Sequence, residues 1–330
     1  MKRLLWAVAA LCVAAPSALA DDSSATLGAG GIVLTKSADI RMASEDLTIS
    51  PKRVRVRYTF INDSKKTIDT IVAFPLPDVD NYELAESPVG TTTNTTPNFV
   101  GFVLTVNGRK VTPHAEEKAI YKGSDVSELV RAQGLPLNIV IGGGYAKLEK
   151  LSLAARAALL KADLIDGAAP DPIHAKWTTV TKFWWHQRFP AGKVVTIEHS
   201  YQPVTGQTFF SSYALSEPES EARYTKDYCL DDATKSAIRA GLDAMKQKSG
   251  NDGLFNQYTT DFVLVTANNW KGPIGRFHLT INKLKVANIL SLCWDGKLRK
   301  TSATRFQVTQ RKFAPQRDIH LLLLEPPPPQ

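Results

Sequence analysis

The sequence predicts a mainly β protein of two β-sandwich-like units, with a helical insertion in the first and one amphipathic helix in the second. Three patterns carry that prediction. RVRVRYTF alternates Val54, Val56, Tyr58 and Phe60 with Arg53, Arg55, Arg57 and Thr59, the period-2 signature of a strand buried on one face. Asn107-Gly108 lies between apolar runs, the strongest short hairpin signal because both turn residues must accept positive φ. TKFWWHQRFPAGKVVTIEHSYQP alternates on both sides of Pro190-Ala191-Gly192, which reads as two further strands.

In chain order, residues 1–20 come first. Lys2 and Arg3, an apolar stretch from Leu4 to Ala15, then Pro16 and Ala18-Leu19-Ala20 follow the three-part grammar of a secretory signal, with cleavage expected after Ala20. The apolar stretch is shorter than the roughly 20 residues a membrane-spanning helix needs, and no later segment qualifies, so no span is expected in the mature chain. The first β unit is read as residues 21–206. After the Arg53–Phe60 strand, Asn62 to Lys66 form a turn, and Ile68 to Phe74 return as a strand stopped by Pro75 and Pro77. Residues 87–98 are a polar loop before the Asn107-Gly108 hairpin.

From about 115 to 170 the period changes. Asp125 and Glu128 suit a capping-box start for a short helix ending at Gly134. Gly142-Gly143-Gly144 reads as a hinge before YAKLEKLSLAARAALLKADLI, a strong helix former that Gly167 to Pro172 terminate. The strands flanking Pro190 are then read as a hairpin in which Phe183, Trp185, Gln187 and Phe189 pair with Val195, Ile197, His199 and Tyr201, leaving Trp184, His186 and Arg188 outward. The second unit, 207–330, carries a helix at about 233–248 with Asp232 as N-cap, Ala237, Ile238, Leu242 and Met245 as its apolar stripe, and Gly250 near its end. Strands are expected at Phe262 to Thr266, Phe277 to Ile281, Ile289 to Cys293, Phe306 to Val308 and Ile319 to Leu324, followed by a disordered proline tail.

The formal charge is +8. Losing Lys2 and Arg3 with the signal leaves +6, spread along the chain rather than clustered. Such a balance favours acidic surfaces weakly, and export argues against nucleic acid as a partner. Removing Cys12 leaves Cys229 and Cys293, an even count that suits a disulfide in an oxidising compartment. Two separate buried thiols are the alternative.

Catalytic and cofactor signals are weak. His114, His174, His186, His199, His278 and His320 form no close ligand pair, and no His-Glu-x-x-His or Cys-x-x-Cys motif occurs. His199 reads as a core histidine on the face opposite to that of His186. No Gly-x-Ser-x-Gly elbow appears, no lysine followed by Ser or Thr follows the triple glycine as a phosphate loop requires, and Glu217, Glu219 and Glu221 beside Pro218 read as a solvated loop. No cofactor is expected. Two surfaces are candidate binding sites. Arg53, Arg55 and Arg57 repeat at roughly 6.6 Å along one strand face, a spacing suited to repeated anionic groups, or else a solvated face paired with acids such as Asp69. Trp184 with His186 and Arg188 has the composition of an interface centre, or else packs beneath the helices.

FINDSKKTIDTIVAFPLPDVD, WWHQRFPAGKVVTIEHSYQPVTG, NWKGPIGRFHL and LCWDG, in that order, resemble the bacterial domain-of-unknown-function family 4424 over nearly the whole mature chain, which implies an exported protein with no assigned activity. Phe60-Ile61-Asn62, Phe74-Pro75-Leu76-Pro77, Gly101-Phe102, Val106-Asn107-Gly108, Ala119 and Tyr121 look like part of the vault protein inter-alpha-trypsin domain over about residues 50–125, which implies a non-catalytic β-sandwich. The reading reached is an exported, periplasmic or secreted, non-enzymatic binding module for an envelope protein or anionic polymer. An exported hydrolase whose site is assembled from distant residues is the alternative.

Overall fold

The computed structural model describes residues 22–28, 31–84, 89–90, 97–141, 143–167 and 172–328. The expected signal at residues 1–20, the centre of the polar loop, Gly142 and the end of the proline tail lie outside the described residues. Strands take 44% of the chain and helices 21%; among the described residues the sheets are antiparallel apart from one parallel pairing and close into no barrel, so the protein is mainly β.

The chain opens with a hairpin of β1 (Ser23–Gly28) and β2 (Gly31–Thr35), then the antiparallel pair β3 (Ile40–Ser50) and β4 (Arg53–Asn62). Along β4 the burial alternates as the sequence requires, with Val54, Val56, Tyr58 and Phe60 inside and the three arginines outside. β5 (Ile68–Pro75) ends at the expected prolines. β6 (Val103–Val106) and β7 (Arg109–Val111) close around Asn107 and Gly108, at φ 49° and 76°. β8 (His114–Tyr121) leads into the helical insertion of α1 (Ser127–Ala132), α2 (Gly144–Glu149) and α3 (Leu153–Lys161). β9 (Thr178–Phe189), β10 (Val194–Tyr201) and β11 (Thr205–Phe210) follow, then α4 (Tyr213–Ser216), α5 (Pro218–Tyr228) and α6 (Asp232–Ser249). The chain closes with β12 (Phe255–Phe262), β13 (Ile274–Asn282), β14 (Ile289–Leu292), β15 (Arg299–Lys300), β16 (Arg305–Phe313) and β17 (Ile319–Glu325).

Three main sheets result. One runs β8-β9-β5-β1-β2, with short strands at its margin. A second, of eight strands, runs β15-β16-β13-β3-β4-β10-β6-β7, and a third runs β14-β17-β12-β11 before Val89–Gly90. The eight-stranded sheet draws β3, β4, β6, β7 and β10 from before residue 207 and β13, β15 and β16 from after it. Its join is the parallel pairing of β13 with β3. Tyr58, Phe60, Phe74, Phe183, Trp185, Phe277 and Leu321 belong to one large core cluster that all three sheets share. A second cluster around Trp177, Leu137 and Leu159 holds the helical insertion, and a third sets α4 to α6 on one face of the β12 sheet.

Several local expectations need correction. β9 and β10 do not pair with each other. β9 pairs with β5 and β8, whereas β10 pairs with β4 and β6. The two inward sets read from alternation are correct, but they meet across the space between sheets rather than across hydrogen bonds. Buried Asn62 fixes that corner: its Nδ2 donates to the carbonyls of Phe189 and Lys66, and its own carbonyl accepts from Gly192 N. The long helix expected after Gly144 is two short ones, because Ser152 caps α3 by accepting from Ala155 N. Asp125 binds the Ser127 amide and hydroxyl, and Glu128 pairs with Arg131, so no capping box forms. The N-cap of α6 is Asp231, which accepts from Thr234 N, and Ala237 lies exposed on its stripe. Glu217 to Glu221 open α5 rather than a loop, with Pro218 in its first turn. The strand placed at Phe262 to Thr266 is displaced, since β12 ends at Phe262 and Val265–Asn269 is a 3-10 turn.

Candidate functional site

The outer face of the eight-stranded sheet is where the arginine stripe lies, and cross-strand register determines its neighbours. Paired residues in a sheet share a face. Arg57 stands between Asp46 of β3 and Glu198 of β10, and the same row continues to His278 and Thr309 on one side and to Thr105 and Lys110 on the other. Arg57 Nε lies 3.4 Å from Glu198 Oε1, and Asp46 Oδ1 lies 3.1 Å from Arg276 Nη1. The next row sets Arg55 between Thr48 and Ser200, and beyond it Arg53 faces Ser50. Asp69, a candidate partner for these arginines, is instead opposite Arg188 in the other sheet.

The same face gathers cations far away in sequence. Arg276 of β13 pairs in register with Arg311 of β16, and Asn282 with Arg305, while Arg299 stands opposite Gln307. All are exposed. The acids of this face are locally committed: Asp46 to Arg276, Glu198 to Arg57, and Asp63 at its far end to Arg41 and Lys271, which hold its carboxyl below the usual range. Among the described residues, Arg53, Arg55, Arg299, Arg305, Arg311 and Lys110 form no ion pair. A groove of about 400 Å³ crosses the face past Arg55, Arg57, Thr105, Glu198 and Ser200. Strand spacing of about 4.8 Å puts Arg305 roughly 14 Å from Arg53, three strands away. Sequence reading missed Arg276, Arg299, Arg305, Arg311 and Lys110, although GRFHLT and RFQVTQR carry the same alternation as β4.

The Trp184 group lies on the opposite side of the molecule, since β9 belongs to the other sheet. Trp184, expected to be exposed, is half-buried and packs with Ala25, Ile32 and Ala73 beneath the β1–β2 hairpin, not beneath the helices. Its ring stacks on His114 with centroids 4.3 Å apart. Ile32 N donates to Glu116 Oε2, and Lys182 Nζ donates to the Ile32 carbonyl, so β2 is stitched over this face. Burial lowers the Lys182 pKa, against the opposing pull of Glu116. His186 and Arg188 remain exposed. The two candidate groups therefore do not converge.

His199 is a core histidine, 3% exposed. The rings of Tyr58, Phe74, Phe102 and Trp185 surround it, and its Nε2 lies 3.3 Å from Asp22 Oδ1. Burial raises the Asp22 pKa, with His199 pulling the other way. Asp22 is anchored by Trp270, whose Nε1 donates to its carbonyl. Cys229 and Cys293 are joined by a disulfide. Among the described residues no group of three or more His, Cys, Asp or Glu side chains is placed to hold a metal ion, and no helix is long and apolar enough to cross a membrane.

The fold and this surface define a mainly β protein with a broad cationic sheet face. The chain belongs to the family described as a domain of unknown function, DUF4424, whose model matches residues 20–322. No curated protein gives a significant match. Among solved structures it is similar to a Legionella pneumophila protein described as a "putative nutrient binding protein", with 17% identity over 92% of this chain and 72% of that one and a TM-score of 0.43. It is also similar to an M1 zinc metallopeptidase from Deinococcus radiodurans, with 7% identity over 88% of this chain and 44% of that one and a TM-score of 0.25.

Proposed function

We propose that the protein is exported and acts in the cell envelope as a non-enzymatic binding module that takes an anionic polymer on the outer face of its eight-stranded sheet. The observation that carries this reading is the collection, among the described residues, of cations without an ion pair from β4, β7, β15 and β16 on one exposed face, where Asp46 and Glu198 are already committed to arginines. Export is supported by the three-part pattern of residues 1–20 and by the Cys229–Cys293 disulfide, which suits an oxidising compartment.

The test is binding of the purified mature protein to an acidic polysaccharide such as alginate, with neutral dextran as the control. Retention on alginate should be saturable and fall steeply with salt, because exposed charges separated by more than about 10 Å are largely screened at 0.1 M. Arg53→Ala/Arg55→Ala should weaken it about tenfold, the equivalent of about 1.4 kcal/mol. Arg57→Ala should cost less, since Arg57 already shares its charge with Glu198. Equal affinity for dextran, or salt-independent binding, overturns the reading.

A further inference from the structure

A second concavity, next along the strands from the groove, is built differently. A cavity of about 310 Å³ opens where the β3–β4 turn meets the five-stranded sheet, at the low end of the size range of small-ligand sites. Its floor is the cross-strand row Gln207, Tyr258 and Leu323 from β11, β12 and β17. Pro51 and Lys52 of the turn and Gln202 at the end of β10 form one wall, and Leu284, Lys285 and Glu325 form the other.

The polar groups of this cavity fall into two kinds. Some are fixed. Glu325 accepts from Lys285 Nζ at 2.8 Å through one oxygen and from Asn288 Nδ2 at 3.2 Å through the other, leaving lone pairs on both. Others are uncommitted: the half-buried side-chain amides of Gln202 and Gln207 and the Tyr258 hydroxyl make no hydrogen bond to the described residues. These half-buried amides and the phenol face the cavity with hydrogen-bonding capacity that water meets and that a polar ligand can take over.

The Leu284 wall is held against its own backbone preference. Leu284 sits at φ 67°, a region a bulky residue avoids, and strain of this kind persists only where the surroundings enforce it. Here they do. Asn282 Oδ1 accepts from Leu284 N, Lys283 Nζ donates to the carbonyls of Val286 and Asn288, and Asn288 Nδ2 returns to the Lys283 carbonyl as well as to Glu325. The loop that carries Lys285 is thus locked to the carboxylate that lines the cavity.

We propose that this cavity binds a single saccharide ring. A sugar combines apolar C–H faces with a ring of hydroxyls that both donate and accept. The site offers the matching set: Tyr258 and Leu284 for the C–H face, two amides that donate and accept in pairs, a fixed carboxylate acceptor and the Lys52 and Lys285 donors. A purely apolar ligand would leave the amides and the carboxylate unpaired. A bare phosphate would leave the floor uncovered.

The experiment is saturation-transfer NMR on the mature protein with glucose, N-acetylglucosamine, glucuronate and glucose 6-phosphate as separate probes. At least one should give saturable contact. Tyr258→Ala and the rim variant Gln202→Ala should each weaken that contact about tenfold, with Gln202→Ala carrying the test if Tyr258→Ala fails to fold. Arg311→Ala, on the sheet face opposite Arg276 and away from the β3–β4 turn, should leave it unchanged, which separates this site from the sheet face. Absence of saturable contact with all four probes, or contact that survives both cavity variants, overturns the proposal.

Discussion

Cutting the Cys229–Cys293 cross-link should remove a large part of the stability of this protein. The bridge joins residues 64 apart in sequence, and closing a loop of that length takes from the unfolded chain an entropy equivalent to about 4 kcal/mol at 25 °C. Net stabilities of 5–15 kcal/mol are typical of folded domains, so the loss is severe without being certain to unfold the chain. The bridge also has a local task, because it ties the end of α5 to the end of β14 beside the hydrogen bond from Ser291 Oγ to the Tyr228 carbonyl. Cys229 itself occupies the left-handed region at φ 52°, which costs a non-glycine residue about 1 kcal/mol. Two double variants separate these effects. Cys229→Ala/Cys293→Ala loses the cross-link and keeps the strained backbone, whereas Cys229→Gly/Cys293→Ala loses the cross-link and relieves it. Equilibrium urea unfolding should place the first about 4 kcal/mol below the oxidised wild type and the second about 1 kcal/mol above the first. Fully reduced wild type should match the alanine pair. A loss below about 1 kcal/mol in the alanine pair would refute the loop-entropy argument, and identical stabilities of the two pairs would refute the role of backbone strain at Cys229.

Two further outcomes follow from buried details. Burial raises the Asp22 pKa above its ordinary 3.8, so between that value and the raised one the folded state holds more proton than the unfolded state, and stability falls as pH rises through this window. Asp22→Asn should flatten urea midpoints measured from pH 4 to pH 7, and an unchanged slope would exclude Asp22 as its source. Gly144 opens α2 where a Cβ would overlap the Ile139 carbonyl oxygen, so Gly144→Ala should destabilise by about 1–3 kcal/mol through overpacking. A thermal melt indistinguishable from wild type would show that the Ile139 backbone yields without cost.

Much of the fold was legible because its signals are local. Alternation placed β4, β9 and β10 and named their buried sets, since a strand with one wet face must write its pleat into the sequence. Asn107-Gly108 gave a hairpin for an equally local reason, the positive φ that both residues adopt. Even the cysteine pair was readable by parity once Cys12 was assigned to the signal. Helix starts were less legible: Asp231 and Asp232 are both competent caps, and only the bond to Thr234 N distinguishes them.

The sequence by itself determined which residues of each strand face solvent and which face the core; tertiary structure alone decided which strands lie side by side. Phe189 and Val195 are inward in either arrangement, and period 2 is silent on whether they meet as hydrogen-bonded neighbours or across two sheets. The Asn62 corner chose the second. The same limit hid the candidate site. Along the chain the positive charge is dispersed, and Arg53 and Arg305 are some two hundred and fifty residues apart. Pairing β13 parallel to β3 brings them onto one face. Backbone hydrogen bonds, which carry no residue identity, set that adjacency.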